Sequence, residues 1–575
     1  MRSDVSATLG VLFASLLITL SAKLLQRRNS FGARRLFALG QTRDISNPVS
    51  GRRGALKHLP REQGTPVSLS AAHRVLLCDE LLRQILNILD VSDAEFGDEN
   101  RDALASLASV CKSISPAALD VLWSRLDKID PLLSLVRTCE ESAQSENFPA
   151  ASRRFLQYSS RVRVLIVARD DIPAEWVAFL RRITIPQFSH LTGLFWYIES
   201  ESSCDDIDLF IVPSLKDISF SIQYDVGISM SNILRTVYQT VPDITSLHMH
   251  WLEPRPQSYE HCENMLHSIA AFHQLRSLST NFDISHYPDA LQVLSGLYSL
   301  ENLELESSVG SNAIRSSVFT PLSQGFPALR SLSLNCPYRM AKVFLPALHG
   351  CAISKVDIAI QDSLPFWHQQ DLVRDLLANF SSSMNSVEIG IPDGIYFSSL
   401  EEGLLYPVII THLLGARLTD VHLMYLEAET LSDALFHSMS VAWPHLRSLR
   451  LATCNTVTEP PAKMVTLTGL KWLALHCPDL RDVAVHVNGT GDRWQHEIDL
   501  SCPGKATRLQ ELNLARSLVD SPHSVARYLR WCFPALRQVR FTSKEPFERR
   551  SQDIMHACKE VASLLRADSL SNGTI

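Results

Sequence analysis

The sequence predicts an α/β fold in which a strand and a helix alternate many times. Three observations predict it. The phrase FPALR occurs twice, starting at Phe326 and at Phe533. Around both copies, apolar residues recur at offsets 0, 3 and 5, as in Leu329, Leu332 and Leu334. A proline stands two residues before the first apolar position in six copies: Pro213, Pro242, Pro327, Pro444, Pro478 and Pro534.

Clear copies start at Leu215, Ile244, Leu300, Leu329, Leu446, Leu480, Leu509 and Leu536, and weaker ones at Val162, Leu191, Leu275, Ile353, Met384 and Leu418. Consecutive starts lie 24 to 34 residues apart. One triplet means little in a chain that is 46% apolar. The narrow band of spacings and the recurrent proline carry the signal. Proline cannot continue a helix and favours extended backbone beside it. Helical stretches such as LTGLKWLALHCP and SVARYLRWCFP precede it. One such unit cannot bury its apolar face alone, so neighbouring units must stack. The competing reading is a non-repetitive α/β domain with accidental leucine spacing.

The L-x-x-L-x-L core and the period of about 29 residues resemble the leucine-rich repeat. The resemblance covers roughly residues 155–545 and implies a curved solenoid of the long, irregular type, with a strand and a helix per repeat. The Asn or Cys of that family, three residues after the last leucine, is mostly missing; Cys454 fits. Strand side chains alternate, so offsets 2, 4 and 6 point away from the leucines. In this family that outer row lines the concave face. Early copies place Phe195, Tyr197, His248 and His250 there. Middle copies place Asn302, Glu304, Glu306, Asp357 and Glu388, and late ones Asp420, His422, Arg450, Asn513 and Arg540. We expect protein recognition by this strip, with Phe195, Tyr197, His248, His250, Glu304, Glu306, Asp357 and Arg450 as substrate-binding candidates. The alternative is an ordinary solvated face.

Residues 73–130 read as three short helices. HRVLLCDELLRQILNILD puts Leu77, Leu81, Leu82, Ile85, Leu86 and Leu89 on one stripe. DVSDAEFGDENRD reads as an acidic loop. Leu104, Leu107, Val110 and Cys111 follow at helical spacing. Ser115 reads as an N-cap with Pro116 at the first helical position. Leu119, Leu122, Trp123 and Leu126 are expected on one face of the third helix.

The residue order resembles the F-box, especially that of a large fungal group of F-box-like proteins. Leu77-Cys78-Asp79-Glu80-Leu81-Leu82 stands for its opening, with Cys78 in place of the usual Pro. Leu107-Ala108-Ser109-Val110-Cys111-Lys112 stands for its middle, and Leu119 to Trp123 for its end. The resemblance implies a Skp-type adaptor and, through it, a cullin ubiquitin ligase. It implies adaptor contacts from Leu77, Cys78, Leu81, Leu82, Ile85, Leu89, Leu107, Val110, Cys111 and Trp123. A helical cap on the repeats is the competing reading.

The stretch VSATLGVLFASLLITLSA, residues 5–22, carries no charge. As a helix it would span about 27 Å, marginal for a bilayer core of about 30 Å. Arg27, Arg28, Arg34 and Arg35 come after it, which by the positive-inside rule places the body in the cytosol. Residues 1–25 are thus a candidate anchor or targeting segment. A signal peptide, a mitochondrial presequence and a gene-model artefact compete. Residues 26–66 read as a flexible basic linker. Residues 546–575 read as a capping helix and tail, with Ile554, Cys558, Val561 and Leu565 on one stripe.

The net charge of −7 divides unevenly. Residues 1–66 hold eleven Lys/Arg and three Asp/Glu, leaving 43 and 58 for the rest. An acidic body disfavours general nucleic-acid binding. The twelve cysteines form no C-x-x-C and suit buried, reduced thiols. No phosphate-binding loop, H-E-x-x-H or G-x-S-x-G occurs. Gly489-Thr490-Gly491 reads as a turn, and His248 with His250 as surface histidines rather than metal ligands. We expect a non-enzymatic protein with no cofactor and no metal.

Overall fold

The computed structural model describes Glu80, Leu82, Arg83 and Leu86, most of residues 97–540, and most of the piece from His556 to Leu565. Residues 1–25 and 26–66, with the readings made on them, lie outside the described residues. The chain divides into two units, one through Thr192 and one from Gly193 onward, with Ala168–Asp170 belonging to the second.

The first unit begins with helices. Glu80, Leu82, Arg83 and Leu86 are helical. Two further helices come next, Gly97–Val110 and Ser115–Leu122. Leu82, Leu86, Leu104, Ala117, Ala118 and Val121 form one buried cluster, with Leu107, Ala108, Ile114 and Leu122 packed on it. Three expectations change here. Gly97–Asp102 is helix rather than loop, because Asp98 and Glu99 suit a helix N-terminus. Ile114, not Ser115, caps the third helix, so Pro116 stands one position later. That helix buries its small residues, while Leu119, Leu122 and Trp123 remain half-buried and Leu126 lies in a strand. Strand β1 (Arg125–Leu126) pairs in parallel with β2 (Val164–Ala168). Phe155, Trp176 and Phe188 pack nearby as a buried aromatic group.

The second unit is one parallel sheet whose strands keep chain order. They are β3 (Gly193–Ile198), β4 (Asp217–Ile222), β5 (Ser246–Trp251), β6 (Ser277–Thr280), β7 (Asn302–Glu306) and β8 (Ser331–Cys336). Then come β9 (Lys355–Ile360), β10 (Ser386–Gly390), β11 (Asp420–Glu427), β12 (Ser448–Cys454) and β13 (Asp482–Val485). After β14 (Asn488–Gly489) come β15 (Glu511–Asn513), β16 (Leu518–Val519) and β17 (Gln538–Arg540). Strands β14 and β16 form a separate small ladder; the others continue the main sheet. Each of the fourteen apolar starts is buried, and each leads into a strand. Asn488–Gly489 is therefore ladder rather than turn: a Cβ on Gly489 would meet the Leu518 carbonyl at 2.7 Å, so the close pairing needs a glycine.

Proline sets how three of the helices hand over to the next strand. Helix Asp433–Ala442 ends at Trp443, Leu467–His476 at Cys477 and Pro522–Cys532 at Phe533. Each of these end residues precedes a proline and has left helical geometry, with ψ of 64°, 78° and 81°. Each carbonyl then accepts the N–H of the repeat's first apolar residue: Leu446 at 3.0 Å, Leu480 at 3.3 Å and Leu536 at 3.0 Å. This is a turn with Pro at its second position, where its fixed φ fits.

The helices cover the apolar face of the sheet and pack on their chain neighbours. Asp433 ties two of them, accepting from the N–H and hydroxyl of Thr466 at 2.8 and 2.7 Å. At the end, the Arg530 guanidinium donates to the carbonyls of Leu564 and Leu565, both at 3.0 Å, while Val561 and Leu565 are buried. Ile554 and Cys558 lie outside the described residues.

The register is testable. Leu332 is buried at the centre of β8, whereas Asn302 is exposed on the opposite face of β7. Leu332→Ala is expected to cost about 2–5 kcal/mol, and Asn302→Ala less than about 0.5 kcal/mol. Urea midpoints measure both; equal loss would contradict the register.

Candidate functional site

Backbone pairing places the predicted outer residues on one line. Phe195, Ser219, His248, Ser279, Glu304, Ser333 and Asp357 face one another strand by strand from β3 to β9. The line continues through Glu388, His422, Arg450, Ala484, Asn513 and Arg540. A second line, two residues on, holds Tyr197, Ser221 and His250, and further along Glu306 beside Asn335. Neighbouring strands stand about 4.8 Å apart, so side chains on a line interact with the next strand and reach little further.

The chemistry along the lines changes in stages. Phe195 is half-buried and Tyr197 is 41% exposed, giving an aromatic end. His248 lies 3.8 Å from Asp217 and 2.8 Å from the Ser246 hydroxyl. His250 lies 3.9 Å from Glu306, which also accepts from the Asn335 amide at 2.9 Å. Gln361 donates to Asn335 at 3.0 Å. The middle is acidic: Glu304, Asp357 and Glu388 share one line. Asp357 accepts from Ser333 at 3.2 Å. Burial, and then the Glu388 carboxylate, push its carboxyl above the ordinary 3.8 despite that bond and nearby Lys355. Beyond it, His422 lies 3.6 Å from Glu388 and 2.9 Å from the Ser448 hydroxyl. Ser448 and Arg450 both donate to Asp482, at 3.1 and 2.6 Å. Arg540 pairs with Glu511 at 2.8 Å.

Every substrate-binding candidate thus lies on the polar strand face. The partners of the outer-row residues His248, His422, Arg450 and Arg540, namely Asp217, Ser246, Ser448, Asp482 and Glu511, occupy the offset-2 line and were not picked out from sequence. Their signal was available, since they hold the same register position in every repeat.

Among the described residues no group of three or more His, Cys, Asp or Glu could hold a metal ion. Cys262, Cys336, Cys351, Cys477 and Cys532 are buried and form no disulfide. Burial pushes the thiols of Cys336 and Cys477 up to about 12, so both stay protonated and weakly nucleophilic.

In the helical unit, Leu82 faces the interior, Leu107 is half-buried, and the Trp123 ring packs at a tilt against Tyr158, with centroids 4.7 Å apart. Leu77, Cys78, Leu81, Ile85, Leu89 and Cys111 lie outside the described residues, as does the side chain of Val110. The class defined by this geometry is a strand-and-helix repeat protein with an open polar strand face. Compared with known proteins, the chain matches no family model and no curated protein at a significant level.

The raised Asp357 carboxyl has a consequence for stability. A folded chain that holds this proton more tightly than the unfolded one is favoured below the ordinary 3.8. That advantage is lost as pH rises through the raised folded value. Asp357→Asn removes the loss and is expected to raise Tm at neutral pH, with the gain shrinking toward about pH 4. Calorimetry at the two pH values checks it; an equal gain at both would refute the burial argument.

Proposed function

We propose that the chain is a non-catalytic substrate receptor of an SCF-type ubiquitin ligase. The helices within residues 73–130 hold a Skp-type adaptor and through it a cullin, and the polar strand face of the repeats holds a protein target. The observation that carries this reading is the coexistence of two features in one chain. An F-box-like residue order stands first, and a long parallel sheet with one uncovered face comes after it. Leu107, Leu119 and Leu122 support it, being apolar side chains half-exposed on short helices. The staged strip supports target recognition. An aromatic end gives contact area and the acidic middle gives charge complementarity, the two ingredients of a specific protein interface.

The body is placed in the cytosol under this reading, with residues 5–22 as its candidate anchor. Among the described residues no helix is long and apolar enough to cross a membrane. Asn379-Phe380-Ser381 and Asn488-Gly489-Thr490 fit the N-x-S/T glycosylation pattern, and both asparagines have structural duties. Asn379 donates to the Asp375 carbonyl at 2.7 Å, and Asn488 accepts from the Thr490 N–H at 3.0 Å.

The full-length protein is expected to pull down a Skp-type adaptor. Leu119→Asp is expected to abolish capture, because Leu119 is half-exposed outside the core cluster and a carboxylate in a desolvated apolar contact costs several kcal/mol. Leu82→Asp would be uninformative, since Leu82 is buried in the unit's own core. Failure of the wild-type chain to bind at micromolar concentration would leave a leucine-rich scaffold without a ligase role. Carbonate extraction and glycosidase treatment address topology: membrane-retained, glycosidase-resistant protein is expected. A glycosidase-sensitive shift would place the body in the lumen and support a membrane-tethered receptor instead.

A further inference from the structure

A second surface lies where the strands begin, on the edge of the sheet and apart from the polar strand face. The residue just before each strand sits on this edge and is held there by its main chain. Arg447 donates its N–H to the Thr419 carbonyl at 2.6 Å, and Arg481 donates to the Arg447 carbonyl at 2.8 Å. Arg537 donates to the Gln510 carbonyl at 2.9 Å. Arg447 and Arg481 therefore occupy adjacent rungs, with Arg537 two strands further along. Arg417 lies two positions earlier on the turn into β11. All four side chains are exposed.

None of the four takes part in an ion pair among the described residues. The carboxylates around them are committed elsewhere. Asp482 accepts from Arg450 and Ser448, and Asp420 from Thr419 at 2.6 Å. Asp479 pairs with Arg508 at 2.7 Å, and Glu511 with Arg540 at 2.8 Å. In earlier repeats the side chains on this edge are tied to neighbouring groups, one of them a carboxylate. There Arg276 pairs with Glu301 at 3.2 Å, Arg330 donates to the Ala352 carbonyl at 3.2 Å, and Lys216 reaches the Asp243 carbonyl at 3.4 Å. Among the described residues, an arginine row without ion-pair partners thus stands on a body that is acidic as a whole.

We infer that this edge, from β11 to β17, binds an acidic peptide segment laid across the strand starts. Guanidinium forks suit carboxylates, which they can hold by two parallel hydrogen bonds. The five strands span about 19 Å at strand spacing, the length of about six extended residues. Acidic side chains on alternate residues of such a segment fall within reach of successive arginines. The mixed sign of the surroundings favours a short acidic peptide over a polyanion such as nucleic acid, which needs a continuous basic surface. The inference does not depend on the ligase reading, and its test needs no adaptor.

The test uses the full chain and a fluorescein-labelled decapeptide of alternating Glu and Ser, with anisotropy measured at low and physiological salt. The Glu–Ser peptide is expected to bind with salt-sensitive affinity, and a Gln–Ser peptide is not. The double variant Arg447→Glu with Arg481→Glu is expected to weaken binding about tenfold or more. Arg276→Gln, on the same edge in the earlier repeats, is expected to leave it unchanged. The rungs use main-chain atoms only, so the milder Arg447→Gln with Arg481→Gln keeps the fold and is expected to weaken binding in the same direction. No binding of the Glu–Ser peptide would overturn the inference, as would equal binding by wild type and both double variants. Tighter, arginine-dependent binding of oligothymidylate or of phosphatidylserine vesicles than of the peptide would overturn it in favour of a different anion.

Discussion

The repeat sheet depends on one carbonyl per unit. In most repeats the residue before a strand offers its C=O to two consecutive N–H groups of the next unit. Lys216 accepts from Thr245 and Ser246, Arg276 from Glu301 and Asn302, Glu301 from Arg330 and Ser331. Ser354 accepts from Asn385 and Ser386, and Arg447 from Arg481 and Asp482. Thr245, Ser354 and Thr419 each add a hydroxyl bond at 3.1 Å to the carbonyl that their own main chain reaches. Such a doubled rung uses both lone pairs of the carbonyl and fixes where each strand begins against the last. A slip of one residue would turn every leucine outward. Register, apolar core and polar face are therefore fixed together.

The apolar triplet supplies the energy that the rung directs. Leu329, Leu332 and Leu334 are buried, and so are Leu446, Leu449 and Leu451. Because the rungs align the units, each triplet packs on the next, and the core grows by addition. The outer lines inherit the same alignment. That is how His422, Glu388, Ser448, Arg450 and Asp482, taken from four separate repeats, come within hydrogen-bond or ion-pair distance.

Much of this was legible because period-2 alternation and a proline stop are local signals. Even the weak copies at Met384 and Leu418 lead into strands β10 and β11. The outer line was legible for the same reason. What escaped depended on non-local facts. Strands β14 and β16 are two residues each and exist only because they meet across repeats. Strand β1 lies in a stretch read as helix, and its pairing with β2 comes from a residue 39 positions later, Arg125 with Val164. The partners Asp217 and Asp482 were missed because their role comes from the neighbouring strand's histidine or arginine. In the helical unit, the buried face of Ser115–Leu122 is set by Ala117, Ala118 and Val121, where small side chains allow close approach; a stripe drawn from the larger leucines points elsewhere.

The uneven spacing of the units carries an evolutionary meaning. Starts lie 24 to 34 residues apart, yet the doubled rung persists across short and long intervals alike, as at Asn385 to Thr419 and Thr419 to Arg447. Length is therefore taken up between the strand end and the next proline turn, away from the rungs. Insertions and deletions there leave the alignment of the polar lines untouched. An architecture of this kind accepts changes in loop length without rebuilding the sheet that presents the polar face.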